Sequence, residues 1–337
     1  MSYKSVLIIG AGLAGIHAAK KLAELGINYQ IIEKGKKVGG RMATVSSSQG
    51  VADYGAQFFT ARSEKMKKLV KQWVREEKAR SWTRGFHQRN HAGEITLVRD
   101  GYPRFVASNG MYALTKWLSV DLNISTGQEV TSARYENGFW FVEILNKETS
   151  ERMFVKADGL ITTVPIPQAI AFIKNEQLES DVYFELQQLK YEPCLAVTIT
   201  LNRSSKIPKK GGIQSEGDIA FIADNKQKGI SKKPMVTIHA SGSWSEEHIH
   251  KCNEWIVEEL VQQVKPLLGN IAIIDAKVKK WKYAKPITLH PDRILATLQP
   301  APIVFAGDCF KEGKVEGAIL SGLEAGEWMG ERIRKQG

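Results

Sequence analysis

The sequence predicts an α/β protein organised on a parallel sheet, and three observations carry that prediction. The first is an apolar, β-branched run from Val6 to Ile9, suited to a strand buried on both faces. The second is Gly10, Gly12 and Gly15 directly after it, followed by Ala18, Ala19, Leu22 and Leu25 at helical spacing and by Gly26 as the stop. The third is another strand–turn–helix corner near the far end of the chain, between Ile303 and Gly322.

The glycine spacing has a specific physical meaning. Gly10 permits the tight turn out of the strand. Gly12 has no side chain to hold a pyrophosphate off the backbone, and Gly15 lets helix and strand pack closely. Ala11, Leu13 and Ala14 complete the loop and first helical turn, whose unpaired N–H groups and positive dipole end suit two phosphates. Tyr29 to Ile32 is a second strand, with Glu33 at its carboxyl end and Lys34 beside it. Glu33 is placed to accept hydrogen bonds from adenosine ribose hydroxyls and to repel a phosphate on that ribose. Strand, helix, second strand and acidic residue fall in register, which marks a dinucleotide site.

Gly39, Gly40, Arg41 and Met42 follow a lysine-rich turn. By itself the glycine pair also fits an ordinary surface turn. The whole pattern is similar to the glutathione-reductase-type FAD proteins, and in particular to the flavin amine oxidase superfamily. That resemblance implies cofactor contacts at Gly40, Arg41 and Met42, with Arg41 on the FAD pyrophosphate.

At 337 residues the chain is long for one ordinary domain and short for three. A hydrophobic fraction of 43% with 25% charged residues fits a soluble globular enzyme with ample core material. No run of about 18 apolar residues occurs, so no membrane span is expected. A strand and glycine loop stand where a signal peptide would have a basic flank and cleavage site, so the cytoplasm is the expected location. Cys194, Cys252 and Cys309 share no C-x-x-C spacing, which argues against a disulfide framework or zinc ribbon. The net charge of +11 comes from lysines spread along the chain. It reads as a solvated basic surface that mildly steers a phosphate-bearing substrate, and no nucleic-acid motif accompanies it.

From Val51 to Arg62 an extended segment carries Gly55 and Ala56, where backbone could pass close to a flat ligand. Residues 63–78 form an amphipathic helix whose Met66, Leu69, Val70, Trp73 and Val74 face the core. A short-stranded hairpin is expected over 81–106, a helix over 110–118, and strands at 139–144 and 153–155. An apolar strand ends at Thr162-Thr163-Val164-Pro165. Strands at 195–201, 219–222 and 235–239 precede one long helix from about Glu246 to Val264, capped by Ser243 or Ser245. The segments 206–212 and 224–233 read as polar, lysine-rich loops. On that helix His248 and Cys252 share a face while His250 points about 200° away, so the three are not expected to hold one metal. His17 is expected to be packed or solvent-facing. There is no G-x-S-x-G elbow to support Ser-based hydrolysis.

The closing corner reads IVFAGDCFKEGKVEGAILSG, with a strand to Ala306, a turn at Gly307-Asp308 and a helix starting near Glu316. The superfamily resemblance implies that Asp308 meets the ribityl and phosphate part of FAD. It further implies that Val315, Glu316, Gly317 and Ala318 bring a helix N-terminus to the flavin N1–C2=O edge. Reduced flavin carries negative charge there, which a helix N-terminus stabilises. Thr126 to Val130 resembles the segment that sets the Val130 backbone against adenine. The Thr163 segment resembles the second crossover into the FAD domain. Cys309 reads as a small buried thiol, so the FAD is expected to be non-covalent.

The stretches VGGRMAT, ADYGAQFFTAR, TGQEV, TTVPIPQA, TIHASGSWS and KKWKYAKP, with the closing corner, are similar to the renalase-like family over nearly the whole chain. The implied fold is a Rossmann-like, glutathione-reductase-type FAD-binding domain (1–62, 105–166 and 281–337) with an inserted α+β substrate domain on a mixed sheet (63–104 and 167–280). Gly55, Ala56, Gln57 and Phe58 join the implied cofactor contacts. The implied chemistry is hydride transfer from 2- or 6-dihydro-NAD(P) isomers to flavin N5, with dioxygen reoxidising the flavin to give hydrogen peroxide. Gln57, Phe59, His239, Trp281 and Tyr283, with Phe58 and Trp244, are the candidate substrate-pocket residues. The larger amine oxidases often carry a lysine near flavin N5. No such lysine is identified here: Lys282, in the W-K-Y-A stretch, lies beside aromatics that read as pocket wall, and this departure counts against simple amine oxidation. An amine or polyene oxidase and a non-catalytic FAD-binding protein are the alternative readings.

Overall fold

The structure, a computed structural model, describes residues 4–173, 177–209 and 211–335. It divides into two compact units, each discontinuous in sequence. The first comprises Met1–Gly40, Thr115–Lys190 and Pro286–Gly337, and the second Arg41–Leu114 and Tyr191–Lys285. Among the described residues the chain forms 18 strands and eight helices, numbered in chain order.

In the first unit, β1 (Ser5–Ile9), β2 (Asn28–Glu33), β7 (Ile124–Thr126), β11 (Gly159–Thr162), β17 (Ile294–Thr297) and β18 (Ile303–Ala306) form one sheet. Its order is β17–β18–β11–β1–β2–β7, and all neighbours are parallel except β17 against β18. The apolar runs of β1, β11 and β18 are almost wholly buried, as a sheet covered on both faces requires. Helix α1 (Leu13–Glu24) packs on α8 (Lys314–Lys335). Their approach is close because a Cβ at Gly322 would overlap the Ala14 carbonyl oxygen, and one at Gly326 would crowd that of Ala18. Val6, Ile8, Leu22, Ile161, Val304 and Met329 lie in the resulting core. A three-stranded antiparallel meander, β8 (Gln128–Glu136), β9 (Phe139–Asn146) and β10 (Arg152–Ala157), belongs to the same unit. So do α4 (Ile166–Phe172) and α5 (Ser180–Gln188).

The second unit is built on a seven-stranded mixed sheet of β5 (Ala79–Arg89), β6 (Ile95–Ala107), β12 (Tyr191–Leu201), β13 (Ile213–Ser215), β14 (Ile219–Asp224), β15 (Met235–Ala240) and β16 (Ile273–Pro286). The order is β16–β12–β15–β14–β13–β5–β6, and β13 on β5 is a parallel pair. A small hairpin, β3 (Thr44–Ser47) with β4 (Gly50–Asp53), and helix α2 (Glu64–Arg75) complete it with α6 (Gly242–His248) and α7 (Asn253–Leu268). Helix α3 (Met111–Leu118) runs across the division between the units.

Several expectations need correction. The expected single helix over 246–264 is two, because Cys252 is extended (φ −66°, ψ 159°) and caps the second helix. Lys280 Nζ donates to the carbonyls of Ile249 and Lys251 and holds the break. The cap of the first is Ser241, not Ser243 or Ser245. Val74 is 42% exposed rather than part of the core stripe. The division by compactness also differs from the expected domain limits. Arg41 to Arg62, Phe105 to Leu114 and Trp281 to Lys285 join the second unit, where Phe59 bridges Phe105, the hairpin strand β6 continues to Ala107 and β16 runs to Pro286. Pro167 to Lys190 joins the first, where Ile173 bridges Ala133.

Candidate functional site

In the first unit the two corners leave the carboxyl ends of β1 and β18, parallel strands separated by β11. Gly10 has φ +102°, a left-handed turn that returns the chain from β1 into α1. A Cβ at Gly15 would overlap the Gly10 carbonyl oxygen, so this glycine is required by helix–strand contact. Gly12 behaves differently: a Cβ there would meet nothing within 4 Å. Its bareness is not a packing need, and the open space is where a pyrophosphate fits. Gly12 also caps α1 without a side-chain acceptor, and the first helical turn has no acidic residue. The first-turn N–H groups therefore remain for an anion.

Glu33 stands at this corner with both carboxylate oxygens anchored. Oε2 accepts from the Ala11 N–H at 2.8 Å and Oε1 from the Gly35 N–H at 2.6 Å. Each oxygen keeps a lone pair for a ribose hydroxyl. Lys34 turns outward and donates to Gln168 Oε1 at 2.7 Å. The Gly39-Gly40 pair is docked rather than a free surface turn. Gly39 donates to the Ala11 carbonyl at 2.7 Å, and a Cβ on Gly40 would lie 3.6 Å from Gly12 Cα.

The second corner lies one strand away. Strand β11 runs between β1 and β18, and Thr163 at its end is shared by both corners. Thr163 Oγ1 donates to the carbonyls of Ile9 and Gly10 at 3.1 Å, and the Thr163 carbonyl lies 3.8 Å from where a Gly307 Cβ would be. Gly307 N–H donates to Ser321 Oγ at 2.9 Å, which ties the turn to α8. The loop is braced by Arg293, which donates to Glu312 Oε1 at 2.6 and 2.9 Å. Asp308, Val315 and Ala318 are half-buried, while Glu316 and Gly317 are buried at the start of α8. Cys309 is a buried cysteine. Val130 is half-buried on β8, opposite Ile144.

The second unit gathers a polar cluster around the turn from Asp53 to Gln57. Asp53 and Lys228 are both fully buried and form an ion pair at 2.7 Å. Asp53 Oδ1 also accepts from Thr44 Oγ1 at 2.6 Å and from the Met111 N–H at 2.8 Å. Lys228 Nζ donates to Gln57 Oε1 at 3.1 Å, sits 5.5 Å over the Trp82 ring, and its carbonyl accepts from Arg80. Burial pushes the Lys228 ammonium pKa down, and Asp53 opposes that shift. Asn225 and Thr237 hold the same backbone: Asn225 Oδ1 accepts from the Asp53 N–H at 3.2 Å, and Thr237 Oγ1 donates to its carbonyl at 2.8 Å.

Three of the candidate pocket residues meet here. Gln57 Nε2 donates to the carbonyls of Asp53 at 2.7 Å and Gly55 at 3.0 Å. Both its N–H groups and its oxygen are committed, so Gln57 is a brace. His239 Nε2 and Trp281 Nε1 both reach the Tyr54 carbonyl, at 3.2 and 3.0 Å, and the Tyr54 and Trp281 rings stack at 5.7 Å. Burial pushes the His239 imidazole down to about 4, with the Lys228 charge adding to the effect. Gly55 is fixed by close approach, since a Cβ there would overlap the Arg41 carbonyl oxygen, to which the Ala56 N–H donates at 2.9 Å.

The remaining candidates lie elsewhere. Phe59 is buried between Trp73 and Phe105 and is core, not pocket wall. Trp244 is likewise buried, stacked on Trp255 with His248 edge-on. Phe58 packs against Phe86 and Phe221. Tyr283 lies on β16 with its ring against Tyr191, and Arg41 caps that pair by reaching over Tyr191 while donating to the Ala284 carbonyl at 3.1 Å. Met42 is buried and Lys282 exposed. Asp53, Lys228 and Asn225 were not legible as members of this cluster from sequence. The only local signal was the unusual Asp-Asn at the head of an otherwise lysine-rich loop.

Known proteins share this framework. Residues 8–73 match an NAD(P)-binding Rossmann-like domain, and residues 73–327 match flavin containing amine oxidoreductase. The chain belongs to the flavin containing amine oxidoreductase family. FAD is therefore the cofactor of this family member, and the glycine corner fits it. A protein from Exiguobacterium sp. 255-15, provisionally named a protoporphyrinogen oxidase, has a solved structure with a TM-score of 0.78. At 13% identity, over 98% of this chain and 100% of that one, it shows a shared fold. A 4,4'-diapolycopene oxygenase of Methylomonas sp is 42% identical over 55 residues, which is 16% of this chain and 11% of the relative. A possible lysine-specific histone demethylase 1 of Drosophila melanogaster is 36% identical over 55 residues, 16% of this chain and 6% of the relative. The chain thus matches only a small part of either curated relative. No described helix is long and apolar enough to cross a membrane.

Proposed function

We propose that this flavin containing amine oxidoreductase family member is a renalase-like oxidase of dihydronicotinamide isomers of the 2- or 6-dihydro-NAD(P) type. FAD would supply the hydride acceptor at N5, with dioxygen as the final acceptor and hydrogen peroxide as product. The observation that carries the reading is the state of the bases in the second unit. His239 is held neutral with a low proton affinity, and Lys228 is committed to Asp53 and Gln57. Neither is poised to take a proton from an amine near neutral pH. A donor whose hydride is already activated by a ring nitrogen lone pair needs no such base.

The cofactor is proposed to take the Gly10–Gly15 corner for its pyrophosphate and Glu33 for its ribose. Thr163, Asp308 and residues 315–318 would hold its flavin-side phosphate and ring edge, and Val130 its adenine. Arg41, Met42, Gly55, Ala56 and Phe58 keep the family contacts that the resemblance implies. Gln57 acts through them, by fixing the carbonyls of Asp53 and Gly55. The Tyr54–Trp281 stack would supply an aromatic surface for a flat substrate.

Anaerobic mixing of the FAD-loaded protein with 6-dihydro-NAD(P) isomers tests the reading. Rapid loss of flavin absorbance and its return in air are expected, and absence of reduction would remove the proposal. A polyene oxidase is the second reading, supported by the match to a 4,4'-diapolycopene oxygenase. It predicts bleaching by polyenes and none by dihydronicotinamides.

A further inference from the structure

His239 carries an inference that rests on the dihydronicotinamide reading and deepens it. The ring stands on β15, between Ala196 of β12 and Phe221 of β14, and is half-buried. Its Nε2 lies 3.2 Å from the Tyr54 carbonyl oxygen, which can only accept, so Nε2 must carry the hydrogen. The amide nitrogen of Gln57 is 3.5 Å from the same atom, but its two hydrogens point to the carbonyls of Asp53 and Gly55. It therefore does not compete for a lone pair on Nε2. The neutral ring consequently has one acceptor left, Nδ1. That atom has no hydrogen-bond partner among the described residues and is not sealed from solvent.

We propose that His239 is a tautomer-locked hydrogen-bond acceptor for substrate, presenting the Nδ1 lone pair to an N–H donor such as the carboxamide of a nicotinamide ring. The tautomer is set by a carbonyl that cannot rotate away, because Trp281 Nε1 shares it and the turn around it is clamped by Gln57, Asn225 and the Asp53–Lys228 pair. Protonation would place a cation near Lys228 in a poorly solvated position, so the ring stays an acceptor through neutral pH. A donor amide is accepted and an amide without N–H is refused, since the lone pair then faces an alkyl group.

The test uses the FAD-loaded protein with 15N-labelled histidine, the His239 signals being assigned by their loss in His239→Gln. A protonated Nε2 and bare Nδ1 between about pH 6 and 8 are expected. Nicotinamide should shift the Nδ1 resonance and N,N-dimethylnicotinamide should not. In turnover with the dihydronicotinamide, His239→Gln keeps a donor for the Tyr54 carbonyl but loses the acceptor. Its KM should rise at least about tenfold, the cost of one hydrogen bond, by more than kcat falls. His239→Asn sets an oxygen near the Nδ1 position and should recover part of that loss. A protonated Nδ1, equal responses to both amides, no Nδ1 response to nicotinamide, or an unchanged KM overturns the assignment. Failure of the dihydronicotinamide to reduce the flavin instead overturns the substrate reading, and the nitrogen signals then decide the His239 inference alone.

Discussion

The glycine corner of the first unit and the polar turn of the second solve one problem, holding backbone rigid, by opposite means. The corner relies on close packing at glycines and on hydrogen bonds between main chain and the Glu33 and Thr163 side chains. Gly10, Gly15 and Gly39 pack so closely that side chains are excluded, and Glu33 is pinned by two main-chain N–H groups. The turn from Asp53 to Gln57 is held by side chains from distant strands, centred on a fully buried ion pair. Backbone packing is cheap and local. A buried charge pair is worth keeping only while every partner is present, because its desolvation is large and its loss leaves an unpaired charge. The first design should thus fail by steric overlap and the second by electrostatics.

The largest effects come from the corner. Gly15→Val drives a side chain into the Gly10 carbonyl oxygen and should abolish both the folded first unit and flavin retention. Gly12→Ala is the sharpening control. Its Cβ meets nothing in the protein, so the melting of the FAD-free chain should change by about 1 kcal/mol or less. FAD affinity, measured by titrating flavin fluorescence, should nonetheless fall at least about tenfold, as the methyl occupies the pyrophosphate space. Unchanged affinity would mean that the open space at Gly12 is not the phosphate site.

The turn should break at Lys228. Lys228→Met keeps most of the volume but strands the Asp53 carboxylate, at an expected cost of about 3–5 kcal/mol in urea unfolding at neutral pH. A cost below about 1 kcal/mol would show that the pair is solvated and that the contrast drawn between the two regions is wrong.

A smaller effect follows from His239, whose pKa is about 4 in the folded chain against 6.5 ordinarily. Between those values the unfolded chain binds a proton that the folded one refuses. Stability is therefore full above about pH 6.5 and is lost as pH falls toward 4. The loss is at most about 3 kcal/mol, and smaller to the extent that water reaches the half-buried ring. Comparing wild type with His239→Gln at pH 7 and pH 5 isolates it, because the variant lacks this part of the pH dependence.

The same contrast explains what could be read from sequence. The corner is encoded by neighbours: a β-branched run, three glycines and an acid are contiguous enough that periodicity and spacing reveal them. The closing corner was legible for the same reason, and only the strand order shows that Thr163 joins the two. The turn's support was not legible, because Lys228 looks like any surface lysine in a polar loop until Asp53 is found beside it. The break between α6 and α7 was hidden in a similar way. Helical apolar spacing runs through it, and it is Lys280, on another element, that holds the intervening carbonyls. Phe59 and Trp244 show the converse limit: an aromatic near a motif packs as core unless something distant opens space beside it.

The smallest predicted effect compares the two units through their thiols. Cys309 is buried at the second corner of the first unit, next to Asp308. Cys194 is half-buried on β12 of the second, where burial and the Glu192 charge push its thiol up to about 12. The exposed Cys252 should alkylate first, and both others only through local opening. If Asp308 meets the flavin phosphate, FAD binding stabilises that corner by mass action and should slow labelling of Cys309 several-fold. Cys194 belongs to a strand held by its own sheet, so its labelling, read by mass spectrometry, should barely respond to FAD. Equal protection of both would show that FAD tightens the whole chain and that the corner is not a separate binding element.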